Sequence, residues 1–550
     1  MPDQTPSTAD ILAQVTGATE PEIALQGPVW LLWRHRGRKV VGGWYEAATL
    51  AQALAQLSRH LAGRPADGLE ICLSRDWQRI LPADLPKLLP NSISGRIGLS
   101  IRLAGREGDT ETRIAPLVAI ANNRPPLREI DKMAQDLGMT VEALLQKAVV
   151  QRFTTEQFLV RPEEDRCTRL YRGGDVISPS TVGPELLRDT IESLSDWMRA
   201  NLREDGRMTY KYWPSSGKES PADNTVRQFM ATVALGRIAK RSGLAADAEA
   251  ARRNLSFNLG KYYTEIDGRG AVILDGKAKL GAMAIAALAW LEYRQAGLID
   301  AQTHLEEYNG LMRGIAYLHQ EDGAFRTFLA PEDRNDNQNF YPGEALLYLA
   351  ARHREDRDPA LAKACLASFR YYRDWHRAQP NPAFVPWHSQ AYVMLHEDLA
   401  TPELADFVFE RNDWLLEMQQ WGGSLAPDLW GRFYNPKRPD FGPPHASSTG
   451  VYMEGLADAW RLARRLGDTA RADAYALALR RGLRSIRQLQ FRDNSLDGYY
   501  ISRPRAVMGG VRTEVYNNEI RVDNVQHCLL ALLKIEAEPD FPWTGCEAAG

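Results

Sequence analysis

Acidic, basic and aromatic residues gather at the entrances of strongly apolar segments in the second half of this chain. Asp223, Asn224, Arg227 and Gln228 open the first such segment, and Asp333, Arg334, Asp336, Asn337, Tyr341 and Glu344 the third. Trp387, His388 and Gln390 open the fourth. His445, Ser447, Ser448, Tyr452 and Glu454 open the fifth, and Glu519, Arg521, Asp523, Gln526 and His527 the sixth. The second is poorer, with Asp275, Lys277 and Lys279. A carboxyl group among apolar neighbours is costly to bury idle, which singles out Glu344, before ALLYLAA, and Glu454, within VYMEGLADAW. Glu344, Glu454 and Asp523 are the candidate acids and bases, with His388 as a second base. Arg227 and Arg521 are candidates to hold an anionic group or to pair with those acids. Trp213, Trp387, Tyr341 and Tyr499 offer faces for stacking, and Asp223 and His445 offer polar contacts.

Plainer roles compete at each position. Asp223, Ser447 and Ser448 stand where helix N-caps stand, and Pro342 fits a first helical position. Glu344 would favour a helix dipole from the first turn, and His388 after Pro-Trp fits a packed core histidine. Arginines can simply neutralise acids, and aromatic residues can simply anchor loops. His527 beside Cys528 lacks a third and fourth ligand at usable spacing, so no zinc pair is read there. Neither a metal nor a cofactor is expected.

The elements that position these groups come in pairs. Apolar residues recur with helical period in segment after segment beyond about residue 184. Segments near 186–203, 246–263, 303–320, 359–376, 402–420 and 470–490 are charged, with one apolar stripe, as in ARADAYALALRRGLRSIRQLQ. Those near 223–242, 279–296, 342–354, 388–399, 448–466 and 522–537 include runs apolar almost all round, such as LGAMAIAALAWLEY and VQHCLLALLKI. A one-striped helix sits outside and an all-round apolar one inside. Six such pairs predict an (α/α)6 toroid over residues 181–540. Outer-to-inner connections are long, as at 204–222, 321–341, 421–447 and 491–521, and inner-to-outer ones are short, as in RSGLAAD. The long loops therefore share one face, with the inner-helix N-termini and their partial positive charge. An Asp-Gly step recurs near the ends of outer helices, at Asp205-Gly206, Asp267-Gly268, Asp322-Gly323 and Asp497-Gly498, with a degenerate copy around Gly422. Each Gly is expected to take the left-handed conformation that ends a helix.

Residues 1–25 read as a mobile polar tail and 26–180 as a smaller α+β domain. PVWLLWRHRGRKVVGGWYEA predicts two strands around a basic turn, ATLAQALAQLSRHLAG a helix, GLEICLSRDW a strand, and GRIGLSIRLAGREGDTETRIAPLVAI a hairpin turning at GREGD. A helical stretch is expected from Leu127 to Arg152, broken near Gly138. With 67 basic and 70 acidic residues, the net charge of −3 implies no bulk attraction to nucleic acid or anionic membrane. No apolar run approaches a membrane span. The first residues lack a basic and an apolar region, and the five cysteines form no CxxC pair, so a reducing cytoplasm is the expectation.

The stretches YKYWPSSGKESPADNTVRQFMATVALGRIA, NFYPGEALLYLA and SSTGVYMEGLADAW, within the six-hairpin layout, resemble the (α/α)6 barrels of carbohydrate-active enzymes. These include glycoside hydrolases, polysaccharide lyases and sugar epimerases. The resemblance is one of architecture and implies an enzyme acting on a glycan or uronic-acid polymer, by hydrolysis or epimerisation, on a polar or anionic substrate. Glu344→Gln and Glu454→Gln are then expected to fold and to lose activity. The Asp-Gly rhythm also resembles the repeats of terpenoid cyclases, whose DxDD-type acid and metal ligands are absent here, as are the Cys and His ligands of lanthionine cyclases. A cyclase or transferase reading predicts a mainly apolar bore. A third reading is a non-catalytic subunit of a polymer-synthesis or modification system, with the α+β domain docking a protein partner.

Overall fold

The computed structural model describes residues 6–17, 22–103, 110–492, 496 and 500–544. Tyr499, the Asp497-Gly498 step and most of the GREGD turn lie outside them. The chain opens with helix α1 (Thr8–Thr16), where a mobile tail was expected. A Ser7–Asp10 capping box starts it, and Ile11 is fully buried against the following sheet.

That sheet holds β1 (Val29–His35), β2 (Arg38–Tyr45), β3 (Gly68–Ile80), β4 (Ile97–Leu103), β5 (Thr110–Ile114), β6 (Ala148–Arg161) and β7 (Arg166–Leu170). It is antiparallel, in the order β2-β1-β3-β6-β4-β5, with β7 also on β6. Helices α2 (Leu50–Leu61), α3 (Leu85–Leu88), α4 (Pro116–Asn122), α5 (Pro126–Asp136) and α6 (Val141–Lys147) complete the region. The pattern misleads at two places. PLVAI is not the far arm of a hairpin: Pro116 starts a short helix there. The helix expected to reach Arg152 stops at Lys147, and VVQRFTTEQFLV, rich in β-branched and aromatic residues, becomes the strand to which β3, β4 and β7 all pair.

Twelve helices of the ring follow among the described residues. The outer ones are α7 (Pro184–Asn201), α9 (Ala245–Tyr262), α11 (Leu305–Leu318), α13 (Pro359–Ala378), α15 (Pro402–Leu416) and α17 (Thr469–Leu489). The inner ones are α8 (Thr225–Ser242), α10 (Leu280–Gln295), α12 (Tyr341–Asp356), α14 (Val385–Leu399), α16 (Ala446–Arg465) and α18 (Val522–Glu536). Each inner helix packs on the next, and α18 packs back on α8, closing the (α/α)6 ring. The first outer helix, α7, packs on the last inner one, α18, which seals the two ends of the toroid. Ala282, Ala284, Ala286, Ala287 and Ala289 are all fully buried on α10, small enough for neighbouring helices to approach closely.

The long loops contain strands that the sequence pattern does not show. One sheet joins β10 (Tyr263–Ile266), β11 (Arg269–Leu274), β12 (Lys277–Lys279) and β13 (Phe328–Ala330). The other joins β8 (Lys211–Trp213), β9 (Lys218–Glu219), β14 (Arg512–Glu514) and β15 (Asn517–Arg521). The turn glycines do more than end helices. Gly206 (φ +95°) lies beyond the end of α7, in a tight turn closed by a Leu202–Met208 bridge. A Cβ there would stand 2.5 Å from the Arg253 carbonyl oxygen on α9. Gly323 docks in the same way on Ala367 of α13. In the fifth hairpin Gly431 docks against Arg481 of α17. In the sixth it is Gly509, against Ser193 of α7. Gly268 is an ordinary open hairpin turn.

Candidate functional site

A cavity of about 390 Å³ opens at the N-terminal mouths of the inner helices, on the face of the long loops. Its walls include Asn224, Arg227, Asn337, Phe340, Tyr341, Glu344, Trp387, His445, Ser447, Ser448, Tyr452, Arg521, Asp523, Gln526 and His527. All inner helices except α10 contribute a lining side chain or its cap. The second inner helix packs behind the lining: a Cβ on Gly281 would lie 1.8 Å from Glu344 Oε2 and 2.7 Å from the Tyr341 ring. Glycine at this position leaves room for the Glu344 carboxyl group.

Glu344 sits in the first turn of α12 and is 3% exposed, and its Oε2 has no hydrogen-bond partner among the described residues. Burial raises its pKa to about 8, against the opposing pull of Lys279 and Arg227. Glu344 is thus a neutral acid near neutral pH, with a proton to give. The same burial raises the Tyr341 hydroxyl.

Asp523 behaves in the opposite way. Burial alone would raise it, but Arg227 and Arg521 outweigh that cost and hold the carboxyl well below the usual range. Arg227 donates from Nε to Asp523 Oδ2 at 2.8 Å, and Arg521 from Nε to Oδ1 at 2.9 Å. Arg227 also donates to the Tyr210 hydroxyl at 2.7 Å, and Arg521 to Ser447 Oγ at 3.3 Å. The two guanidinium groups are therefore fixed in place by one shared carboxylate.

His527 lies one helical turn beyond Asp523 on α18, on the same face, and sequence reasoning passed it over as a failed zinc ligand. Its Nδ1 donates to Glu454 Oε1 at 2.7 Å. A carboxylate can only accept, so a neutral His527 would carry its proton on Nδ1 and leave Nε2 as the acceptor. The hydrogen bond of the ring among the described residues is the one from Nδ1. Trp387 packs edge-on against the imidazole, with ring centroids 5.9 Å apart. Glu454 itself is fully buried on α16 behind His527 and does not line the cavity. The one signal in the sequence was the spacing of Asp523, Gln526 and His527 on a helix otherwise apolar all round.

The remaining candidates divide. Arg227, Arg521, Asp523, Glu344, Trp387, Tyr341 and His445 meet in the cavity. His445, rather than Ser447 or Ser448, is the N-cap of α16, its Nδ1 accepting from the Ser448 backbone N–H. Burial, reinforced by Arg521, lowers it to about 4, so it is a neutral imidazole. Asp223 is not the N-cap of α8, which is Asn224. Its carboxylate instead accepts from Gln228 Nε2 and the Tyr262 hydroxyl, both at 2.8 Å, away from the cavity lining. His388 is a core residue stacked on Phe384 at 3.4 Å, its Nδ1 donating to the Phe384 carbonyl, and burial lowers it to about 3. It does not line the cavity, which removes the geometry a second base requires. Trp213 lies outside the lining too, donating to Glu519 at 3.2 Å. Tyr499 lies outside the described residues.

Among the described residues, no group of three or more His, Cys, Asp and Glu side chains could hold a metal ion. No helix among them is long and apolar enough to cross a membrane.

No protein-family model matches the chain, and no curated protein matches it. Among solved structures it is similar to a D-mannose isomerase, at 12% identity over 64% of this chain and 98% of that one, with a TM-score of 0.47. It is similar to an unsaturated glucuronyl hydrolase specific for heparin, at 12% identity over 64% and 97% of the two chains, TM-score 0.45. It is also similar to a cellobiose 2-epimerase from Bacillus thermoamylovorans, at 12% identity over 63% and 98%, TM-score 0.46. At this level of identity and overlap these likenesses assign no activity to the chain, and its toroid is read from its own helix packing.

Proposed function

We propose that the chain is a sugar-converting enzyme that moves a proton at a carbon of an anionic glycan residue, as an epimerase of a uronic acid does. One observation carries this reading: an imidazole and a neutral carboxylic acid line the same cavity from opposite sides of the ring. His527 is on the sixth inner helix and Glu344 on the third. In the proposed step His527 Nε2 takes the proton from the carbon next to a carboxylate or carbonyl. The C–H electron pair moves onto the oxygens as an enolate, beside the Arg227 and Arg521 guanidinium groups. Glu344 returns its proton to the other face of that carbon, giving the epimer. Glu454 keeps the imidazole in the tautomer that can accept.

Charge balance supports an anionic substrate. Arg227 and Arg521 share only Asp523, and Glu344 is neutral, so the lining holds one uncompensated positive charge near neutral pH. Trp387, Tyr341 and Tyr452 offer faces to sugar C–H groups, and Asn224, Asn337 and Gln526 offer hydrogen bonds to hydroxyls. A cavity of about 390 Å³ suits a small ligand rather than a long chain. The mixture of charged, amide and aromatic lining does not fit the apolar bore that a cyclase of hydrophobic substrates requires. Hydrolysis would use Glu344 as acid, but its second carboxylate would have to be Asp523, a poor base while clamped by two arginines.

Proton NMR in D2O tests the reading, with uronic-acid oligosaccharides set against their neutral counterparts. The expected result is deuterium at the carbon beside the carboxylate with no fragments released, lost in His527→Asn. Fragments without exchange would assign hydrolysis, and neither event with any uronate would reject the proposal.

A further inference from the structure

We infer that Asn123, in the N-terminal sheet region, is a positioning residue for the Arg521–Asp523 pair, which makes that region a working part of the cavity. This rests on the reading of the cavity as the site of function. The link is the hairpin of β14 and β15, which turns at Val515-Tyr516. Its base delivers Arg521 into the cavity wall, directly before the first turn of α18 and Asp523. Its tip is held from the other region. Asn123 Oδ1 accepts the Asn518 backbone N–H at 2.8 Å, and Asn123 Nδ2 donates to Asn517 Oδ1 at 3.1 Å. Asn518 returns a bond, its Nδ2 donating to the Ile120 carbonyl at 2.6 Å, and it is 1% exposed.

Asn123 is itself held firmly. It caps the C-terminus of α4 in the left-handed conformation, φ +51°, with its own N–H bonded to the last carbonyls of that helix. The far strand of the hairpin is anchored by the buried Glu514–Arg432 ion pair. From Asn518 to Arg521 is three residues, about 10 Å of extended strand. A two-stranded hairpin with a two-residue turn is marginal unless something holds it. β8 pairs with its base, at Ile520 and Arg521, and the tip rests on Asn123. Freed at the tip, β15 would let the Arg521 guanidinium leave Asp523 and His445.

The test uses the full chain. Asn123→Gly keeps the left-handed backbone and removes both side-chain bonds, while Asn123→Asp keeps the acceptor for the Asn518 N–H. Amide hydrogen exchange is followed over residues 512–523. The His445 titration is followed by NMR of histidine-labelled protein; its imidazole is held down by burial first, then by Arg521 and Arg227, against Asp523. In Asn123→Gly, exchange rises on the order of tenfold and the His445 midpoint moves up from about 4. Asn123→Asp, which keeps the acceptor for the Asn518 N–H but loses the bond to Asn517 Oδ1, falls between wild type and Asn123→Gly, and Asn518→Ala behaves like Asn123→Gly. Unchanged exchange, or faster exchange with an unmoved His445 midpoint, overturns the inference, because the grip would then not reach Arg521. Neither readout needs turnover, so a failure of the proposed reaction leaves this test intact. Lower turnover in Asn123→Gly with unchanged KM adds the functional consequence.

Discussion

The two ends of the ring both hold cavities lined with charge, and they differ in which groups are left without a partner. The cavity at the C-terminal ends of the inner helices is the larger, about 590 Å³, and is lined by Arg237, Lys240, Arg241, Arg461 and Lys534 with Glu292 and Glu536. Four of those five cations pair with acids: Arg237 with Glu292, Arg241 with Glu536 and Glu192, and Arg461 and Lys534 with Asp458, while Lys240 is exposed. Basic residues there also complement the helix C-termini. At the mouth, by contrast, the buried Glu344 Oε2 has no described partner, the His527 ring bonds Glu454 through Nδ1, and two arginines share one acid. Volume therefore does not locate function in this ring. A buried proton donor, kept at a cost in stability, and an imidazole across from it do.

The largest expected effect of breaking this contrast is at the mouth. Glu344→Gln and His527→Asn should each lower turnover by about 10²–10⁴-fold while circular dichroism stays that of the wild type. Glu454→Gln should follow with a smaller loss, since it would leave the imidazole in place without fixing its tautomer. Gly281→Ala comes next: its Cβ would occupy the space of Glu344 Oε2. Overpacking there should cost about 1–3 kcal/mol in urea unfolding and lower turnover without touching substrate.

A pH series sharpens the comparison further. Glu344 binds its proton more tightly folded, at about 8, than at its ordinary value of 4.5. Between those values the unfolded chain releases a proton that the folded one keeps, so stability falls as pH rises, by up to about 1.4 kcal/mol per pH unit. Unfolding free energies at about pH 5 and about pH 7.5 should therefore diverge more in wild type than in Glu344→Gln. The smallest effect belongs to the other end of the ring. Arg241→Gln should cost about 0.5–1 kcal/mol and leave turnover at the wild-type level. A large loss of turnover there would erase the distinction between the two ends.

Much of the ring was legible in the sequence because inner and outer helices differ in how far around the apolar surface runs. LGAMAIAALAW has no polar face and can only be an inner helix, whereas α17 keeps one stripe. The residues at the inner-helix mouths followed from that order, and Glu344, Asp523, Arg227 and Arg521 do meet in one cavity. What the sequence hid depends on partners distant along the chain. His527 gains its meaning from Glu454, 73 residues away on the neighbouring inner helix. Gly281 matters for the side chain its absent Cβ makes room for. His388 and Asp223 looked exposed to use because each opens a helix, yet the packing of Phe384 and the hydroxyl of Tyr262 absorb them. Strand β6 was mistaken for helix because its apolar residues continue those of α6 without a turn residue between.

The protonation of Glu344 tests the account most directly. Infrared difference spectra between about pH 6 and about pH 9, for wild type and Glu344→Gln, would follow its carboxyl band. The account predicts a protonated-carboxyl band in wild type that disappears as pH passes about 8 and is missing from Glu344→Gln. A Glu344 already ionised at the acid end of that range would contradict it, since the mouth would then hold no neutral acid facing His527.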